Sequence, residues 1–184
     1  MPPLEAGLAV SESGDQGGPP LLLLHGIGGL GAMWAPATSH LAEFRCLTPD
    51  LPGHGGSRGT AWRSFADSAA AVEALIATQS PDTPVHLAGL SLGGYVALHI
   101  AARGRVPLGR VLVSGVPFSP LPRQTLMRVM AYLMLPFIRS ERMARANMKA
   151  MRITDAASVS AAIAGMKAVG RRSFLRANLD AVAH

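Results

Sequence analysis

A single cysteine, Cys46, stands in the whole sequence, so no disulfide can form within the chain and nothing calls for an oxidising compartment. Inside Phe44-Arg45-Cys46-Leu47 it reads as a small buried hydrophobe. No apolar run approaches the roughly 20 residues that cross a bilayer. Met1–Pro20 has neither a basic head nor a long apolar stretch, so it does not read as a signal peptide, and a cytoplasmic location is expected. Clustered His and Cys ligands are lacking, and so is a lysine-bearing phosphate loop; neither a metal nor an organic cofactor is expected. Aromatic residues make up only 5% of the chain. They offer no interleaved stacking platform, which argues against a nucleic-acid partner.

What remains is a globular composition: 184 residues, 49% hydrophobic and 15% charged, enough for one domain with a sizeable core. The net charge of +6 is unevenly placed. Residues 1–118 hold 6 Lys/Arg and 8 Asp/Glu, or −2, and residues 119–184 hold 11 and 3, or +8. The basic half reads as a solvated helical face. Peripheral membrane contact through the +8 half and the apolar stretch Val129–Ile138 is a weaker reading, and no membrane partner is expected.

The two halves also differ in texture. Leu4–Ser11 reads as a strand and Ser13–Pro20 as a turn-rich connector. Leu21–Leu24, Arg45–Thr48, Val85–Ala88 and Arg110–Ser114 are short apolar runs closed by breakers, as strands of a buried parallel sheet would be. Between them, Met33–Phe44, Ser64–Gln79 and Leu92–Arg103 read as helices. Strand alternating with helix predicts an α/β fold: a mostly parallel sheet with helices on both faces, and a ligand site outside the carboxyl ends of the strands. Residues 1–118 would form this core, and residues 119–184 a helical cap. The cap's apolar positions (Met127, Met130, Met134, Met143, Met148, Met151, Phe174, Leu175, Leu179, Val182) suit either a flexible apolar lining or ordinary amphipathic helices.

Three loops carry the chemistry. Gly89-Leu90-Ser91-Leu92-Gly93 joins a predicted strand to a predicted helix. So sharp a reversal holds Ser91 in a strained conformation, and side chains two residues either side would collide, so Gly89 and Gly93 stand there. It also sets Ser91 at a helix N-terminus, where developing negative charge is favoured. Read without its context, the motif is an ordinary glycine-rich turn. His25-Gly26-Ile27-Gly28-Gly29 follows the first core strand, and its small residues let backbone N–H groups approach a ligand. Asp50-Leu51-Pro52-Gly53-His54-Gly55-Gly56-Ser57 follows the second.

These three blocks, in this order and over roughly Leu21 to Val116, resemble the α/β-hydrolase superfamily. The resemblance implies Ser91 as a catalytic nucleophile. It implies the backbone N–H groups of Ile27 and Leu92 as an oxyanion hole. It makes His25, Gly26, Asp50, His54, Ser57, Gly89 and Gly93 structural. Family members that use an aspartate nucleophile open epoxides or remove halides, and Ser91 argues against both. The implied reaction is hydrolysis of an ester, lactone, thioester or carbon–carbon bond through an acyl-enzyme. Its substrate would be a small molecule with an apolar acyl or alcohol group.

Ser91 needs a histidine base held by a carboxylate. In the family, acid and histidine follow the nucleophile, each after a further strand. Neither strand is found after Ser114. His40, His86 and His99 lie on predicted helices or strands, Asp155 and Asp180 lie in helical stretches, and His184 is the last residue. The expectation is therefore a C-terminally incomplete hydrolase, with acid and base beyond residue 184 and an unpaired apolar sheet edge. A non-catalytic binding protein that kept the pocket is the second reading.

Overall fold

A computed structural model of the chain describes residues 7–116 and 140–150, with residues 129, 156, 159, 160, 163, 164, 172, 173, 176 and 177. Its centre is a five-stranded sheet built from β1 (Val10–Gly14), β2 (Pro20–Leu24), β3 (Arg45–Pro49), β4 (Val85–Leu90) and β5 (Leu108–Ser114). The spatial order is β1-β3-β2-β4-β5. Pairs β2–β3, β2–β4 and β4–β5 are parallel. β1 departs from the expected parallel pattern: it runs antiparallel to β3, with Val10 opposite Pro49 and Gly14 opposite Arg45. It also starts later than expected and extends into the presumed connector. Only Val10 of β1 is buried, and Ser11–Gly14 are exposed. An edge strand with one buried end leaves little apolar signal.

The described α-helices are α1 (Ala35–Thr38), α2 (Phe65–Gln79), α3 (Leu92–Arg103) and α4 (Glu141–Ala150), with 3₁₀ turns at Gly31–Trp34 and Gly55–Ser57. Ser64 caps α2, its hydroxyl accepting the Asp67 N–H at 3.0 Å. Phe65, Ala69, Val72, Leu75 and Ile76 recur at helical spacing and are buried. α3 begins at the serine loop and ends on Gly104, whose φ of 57° gives a left-handed cap. These two helices cover one face of the sheet. With Leu22, Leu24, Leu47, Val85, Leu87 and the loop residue Trp62 they form the main core. The buried Glu73 joins them by an ion pair to Arg103 at 2.9 Å.

On the opposite face the described residues give a thinner cover. The helix expected over Met33–Phe44 is a single 3₁₀ turn at Gly31–Trp34 followed by the four residues of α1. Thr38 and Ser39 turn their hydroxyls onto the carbonyls of Ala35 and Pro36. The next amides, of His40, Leu41 and Phe44, bond three residues back. Such local bonds compete with a continuing α-helix. Among the described residues a small cluster of Leu23, Cys46 and Ala88 is buried on this face, with Leu21, Trp34, Leu41 and Phe44 against it. Beside them lies an apolar cavity of about 730 Å³ that extends to Leu112.

Of the expected cap, α4 and a few single residues are described; Met127, Met130, Met134, Met151, Phe174, Leu175, Leu179 and Val182 lie outside the described residues. Met148 is buried and Met143 is exposed. Among the described residues of this region, Ala177 is buried in the main cluster and Ser173 accepts the Trp62 N–H at 3.2 Å.

Candidate active site

Ser91 sits between β4 and α3 with φ 50° and ψ −112°. Among the described residues it is the one non-glycine residue at positive φ. A side chain in this region costs on the order of 1–3 kcal/mol and persists only where its surroundings enforce it. Here the Ser91 N–H donates to the Ser114 carbonyl at 2.8 Å, and the Ser91 carbonyl accepts the Tyr95 N–H at 3.1 Å. The flanking glycines are sterically required. A Cβ on Gly89 would run into the Gly93 carbonyl, and one on Gly93 into the Leu24 carbonyl of β2. No described residue hydrogen-bonds the Ser91 hydroxyl.

The loop after β2 lies alongside. Gly29 donates to the Gly26 carbonyl at 3.0 Å, and Gly28 takes φ 71°, so residues 26–29 form a turn that favours glycine at its third position. Gly26 is so close that a Cβ there would stand 3.6 Å from Ser91 Cβ. Ile27, next to it, packs partly buried against the main core. Leu92 is the first residue of α3, so its N–H lacks an acceptor within the helix.

Two buried histidines hold this loop. His25 Nε2 accepts the Leu51 N–H at 2.9 Å, so the proton is on Nδ1, which donates to the Gly26 carbonyl at 2.7 Å. His54 is arranged alike: Nε2 accepts the Gly28 N–H at 3.2 Å and Nδ1 donates to the Pro52 carbonyl at 3.0 Å. The rings are 5.0 Å apart. Burial, reinforced by His54, pushes the His25 pKa down to about 3. Burial also lowers that of His54, against the opposing pull of the Pro52 carbonyl and Asp50. Both nitrogens of both rings are thus engaged in fixing backbone, and neither ring is available as a base.

Asp50 spans the remaining gap, its two oxygens accepting the N–H groups of Gly31 and Gly56 at 2.8 Å each. Ser57 accepts the Ala9 N–H at 2.8 Å. The other described histidines lie elsewhere. His86 on β4 accepts the Arg110 N–H at 2.9 Å, His99 on α3 stacks on Phe65 with centroids 5.6 Å apart, and His40 follows α1. Asp155, Asp180 and His184 lie outside the described residues. No cluster of three metal-ligating side chains occurs among the described residues.

The sequence pointed to each loop but not to the bonds between them. His25 with Leu51 and His54 with Gly28 each join residues 26 apart. Ser173 with Trp62 joins residues 111 apart, and no local pattern marks it.

The family model described as the alpha/beta hydrolase family matches residues 21–182. The chain is 34% identical over 113 residues to 2-succinyl-6-hydroxy-2,4-cyclohexadiene-1-carboxylate synthase of Pectobacterium atrosepticum, covering 60% of this chain and 44% of that protein. It is 44% identical over 85 residues to pimeloyl-[acyl-carrier protein] methyl ester esterase of Vibrio campbellii, covering 46% of this chain and 32% of that one. It therefore spans less than half the length of these curated relatives. The solved esterase of Thermogutta terrifontis superposes with a TM-score of 0.72 at 23% identity, covering 95% of this chain and 66% of the esterase. The serine loop, the glycine turn beside it and the match over residues 21–182 agree: the chain belongs to the alpha/beta hydrolase family.

Proposed function

We propose that this chain carries the nucleophile and oxyanion hole of a serine hydrolase that cleaves a carboxylic ester-like bond, whether ester, lactone, thioester or carbon–carbon. The observation that carries the reading is the strained Ser91 at the head of α3, enforced by Gly89 and Gly93 and flanked by Gly26. Ser91 Oγ attacks the carbonyl carbon and gives its proton to a base. The carbonyl oxygen becomes an oxyanion, received by the N–H groups of Ile27 and Leu92; one such donor contributes about 3 kcal/mol to the transition state. Collapse expels the leaving group, which takes the proton, and water then releases the acyl group from Ser91. His25, His54 and Asp50 hold the oxyanion loop in place and do not react.

Among the described residues His25, His54 and His86 bond backbone N–H groups and His99 stacks on Phe65, so the base and acid that the reading requires are sought outside the described residues. The region 119–184 acts as a cap, seated on the core through Ser173 and Ala177 and shaping a site for an apolar acyl or alcohol group. No helix among the described residues is long and apolar enough to cross a membrane, and a cytoplasmic location is part of the proposal.

The test is chemical rescue. Hydrolysis of p-nitrophenyl butyrate is followed for the chain and for Ser91→Ala, with and without added imidazole. The expected result is a rate that rises with imidazole above the imidazole blank and is lost in Ser91→Ala. Equal rates for the two proteins under both conditions, with both folded, overturn the proposal. They would favour the second reading, a binding protein without chemistry, which draws on the unpartnered Ser91 hydroxyl among the described residues.

A further inference from the structure

Strand β4 lies between β2 and β5, so the loops that leave the carboxyl ends of those two strands flank the Ser91 loop from either side. On the β2 side Gly26 comes up against Ser91, and the half-buried Ile27 follows it. On the β5 side three successive residues engage the serine loop. The Ser114 carbonyl accepts the Ser91 N–H at 2.8 Å. Gly115 takes φ 67°, and a Cβ on it would stand 3.7 Å from Ser91 N and 3.9 Å from Ser91 Cα. Val116 sets its Cγ2 where a side chain on Gly94 would begin, and it packs half-buried against the main core. Gly94 is three residues beyond Ser91 on the same side of α3, and Cβ positions in a helix lean toward its N-terminus. The Val116 isopropyl group therefore stands beside the head of α3, next to Ser91. Because Gly94 has no side chain, the wall at this point is supplied by the loop after β5 and not by the helix.

We propose that Val116 is a specificity-determining residue of the Ser91 site: with Ile27 across the serine, it admits acyl groups that are unbranched at the carbon next to the carbonyl. The inference rests on the serine-hydrolase reading above and names its substrate class. The reacting carbonyl carbon has to come within roughly 3–3.5 Å of Ser91 Oγ, so the next acyl carbon is held at the serine too. The leaving group must face the base that protonates it. Of the two flanking loops, one follows His25, whose ring nitrogens both hold backbone, and the other, Ser114-Gly115-Val116, carries no titratable side chain. The acyl group is thus the part of the substrate left to lie between them. Isoleucine and valine are both branched at Cβ and stiff about χ1, so neither wall swings aside as a methionine would. A methylene passes between two such walls, and a second methyl group on the same carbon meets one of them.

The test compares p-nitrophenyl butanoate with p-nitrophenyl 2-methylpropanoate, which share a leaving group and a carbon count and differ in that one branch. Imidazole-rescued hydrolysis is measured above the imidazole blank for the chain, Val116→Ala and Val116→Thr. The expected result is a preference of the chain for the straight ester that falls about tenfold in Val116→Ala, the size of effect one methyl group has against an apolar wall. Val116→Thr keeps the branch at Cβ and should keep the preference, which a mere loss of apolar packing would not do. An unchanged preference in Val116→Ala overturns the proposal, and so does an equal loss in Val116→Thr. A second measurement needs no turnover. n-Propylboronic and isopropylboronic acids carry the same two carbon skeletons on boron, which accepts a lone pair of Ser91 Oγ while the hydroxyl proton leaves to solvent. Their titration, followed at the amide signals of Leu92 and Val116, should show the straight acid binding the chain more tightly and Val116→Ala closing the gap. Equal affinities in the chain, or no shift at Leu92 and Val116, overturn the proposal whatever the esters do. Boronic acid discrimination without Ser91-dependent hydrolysis upholds Val116 as a wall and overturns the catalytic reading alone. Ser91-dependent hydrolysis without discrimination does the reverse.

Discussion

Mild acid should loosen the fold through His25. In the folded chain the imidazole is neutral, because Nε2 must accept the Leu51 N–H and the ring is buried beside His54. Its pKa is about 3, against about 6.5 for a free imidazole. The folded value is the lower one, so the unfolded chain binds the proton first. The stabilisation is complete above about pH 7 and is lost as pH falls through 6.5 toward 3. Linkage gives a loss of about 2 kcal/mol between pH 7.5 and 5, and about 3 kcal/mol by pH 4. His54, shifted in the same direction, adds to it. The assay is urea unfolding at pH 7.5 and 5, for the chain and for His25→Gln, whose amide oxygen can still accept from Leu51 but cannot titrate. The wild type should lose at least about 2 kcal/mol, and His25→Gln should lose about 2 kcal/mol less than the wild type does. A wild-type loss under 0.5 kcal/mol, or equal losses in the two proteins, refutes the reasoning.

Two substitutions test the serine loop apart from any activity. Ser91→Gly relieves the positive φ and should raise the unfolding free energy by about 1 kcal/mol, strain released less the entropy that glycine adds to the unfolded chain; an unchanged or lowered midpoint in urea would contradict the strain. Gly93→Ala forces a methyl group into the Leu24 carbonyl and should cost about 1–3 kcal/mol, read as a drop in thermal midpoint that Gly59→Ala, a site open on all sides, does not show.

Much of the site was legible before any coordinates, for a steric reason. Gly89 and Gly93 are forced by contacts within a few residues of Ser91, so the constraint is written locally. The strands β2 to β4 were legible because a largely buried strand has to be mostly apolar and must end at a breaker, and β5, though mostly exposed, carries the same kind of short apolar run closed by Gly115. Helix α3 was found end to end, since Ser91 opens it and Gly104 closes it. The expected helix at 33–44 failed where Thr38 and Ser39 bond their own backbone, a competition that periodicity does not register. The direction of β1 escaped because only Val10 is buried in it. The histidine pair was visible as residues but not as a brace, because its bonds run between loops from different strands.

Ser173 stands over Gly53 so closely that a Cβ on the glycine would lie 2.5 Å from the serine's own. Gly53 is followed at once by His54, which grips Gly28. The seat of Ser173 is thus keyed to a position with no side chain, one residue from His54, which braces the loop after β2. If residues 119–184 form the proposed cap, grafting one from another hydrolase onto this core has to satisfy the fit at this notch. A donor with a small hydroxyl residue at that point can meet the Trp62 N–H. A donor with a bulkier residue has to lift away from Gly53 or press on the loop that carries His54.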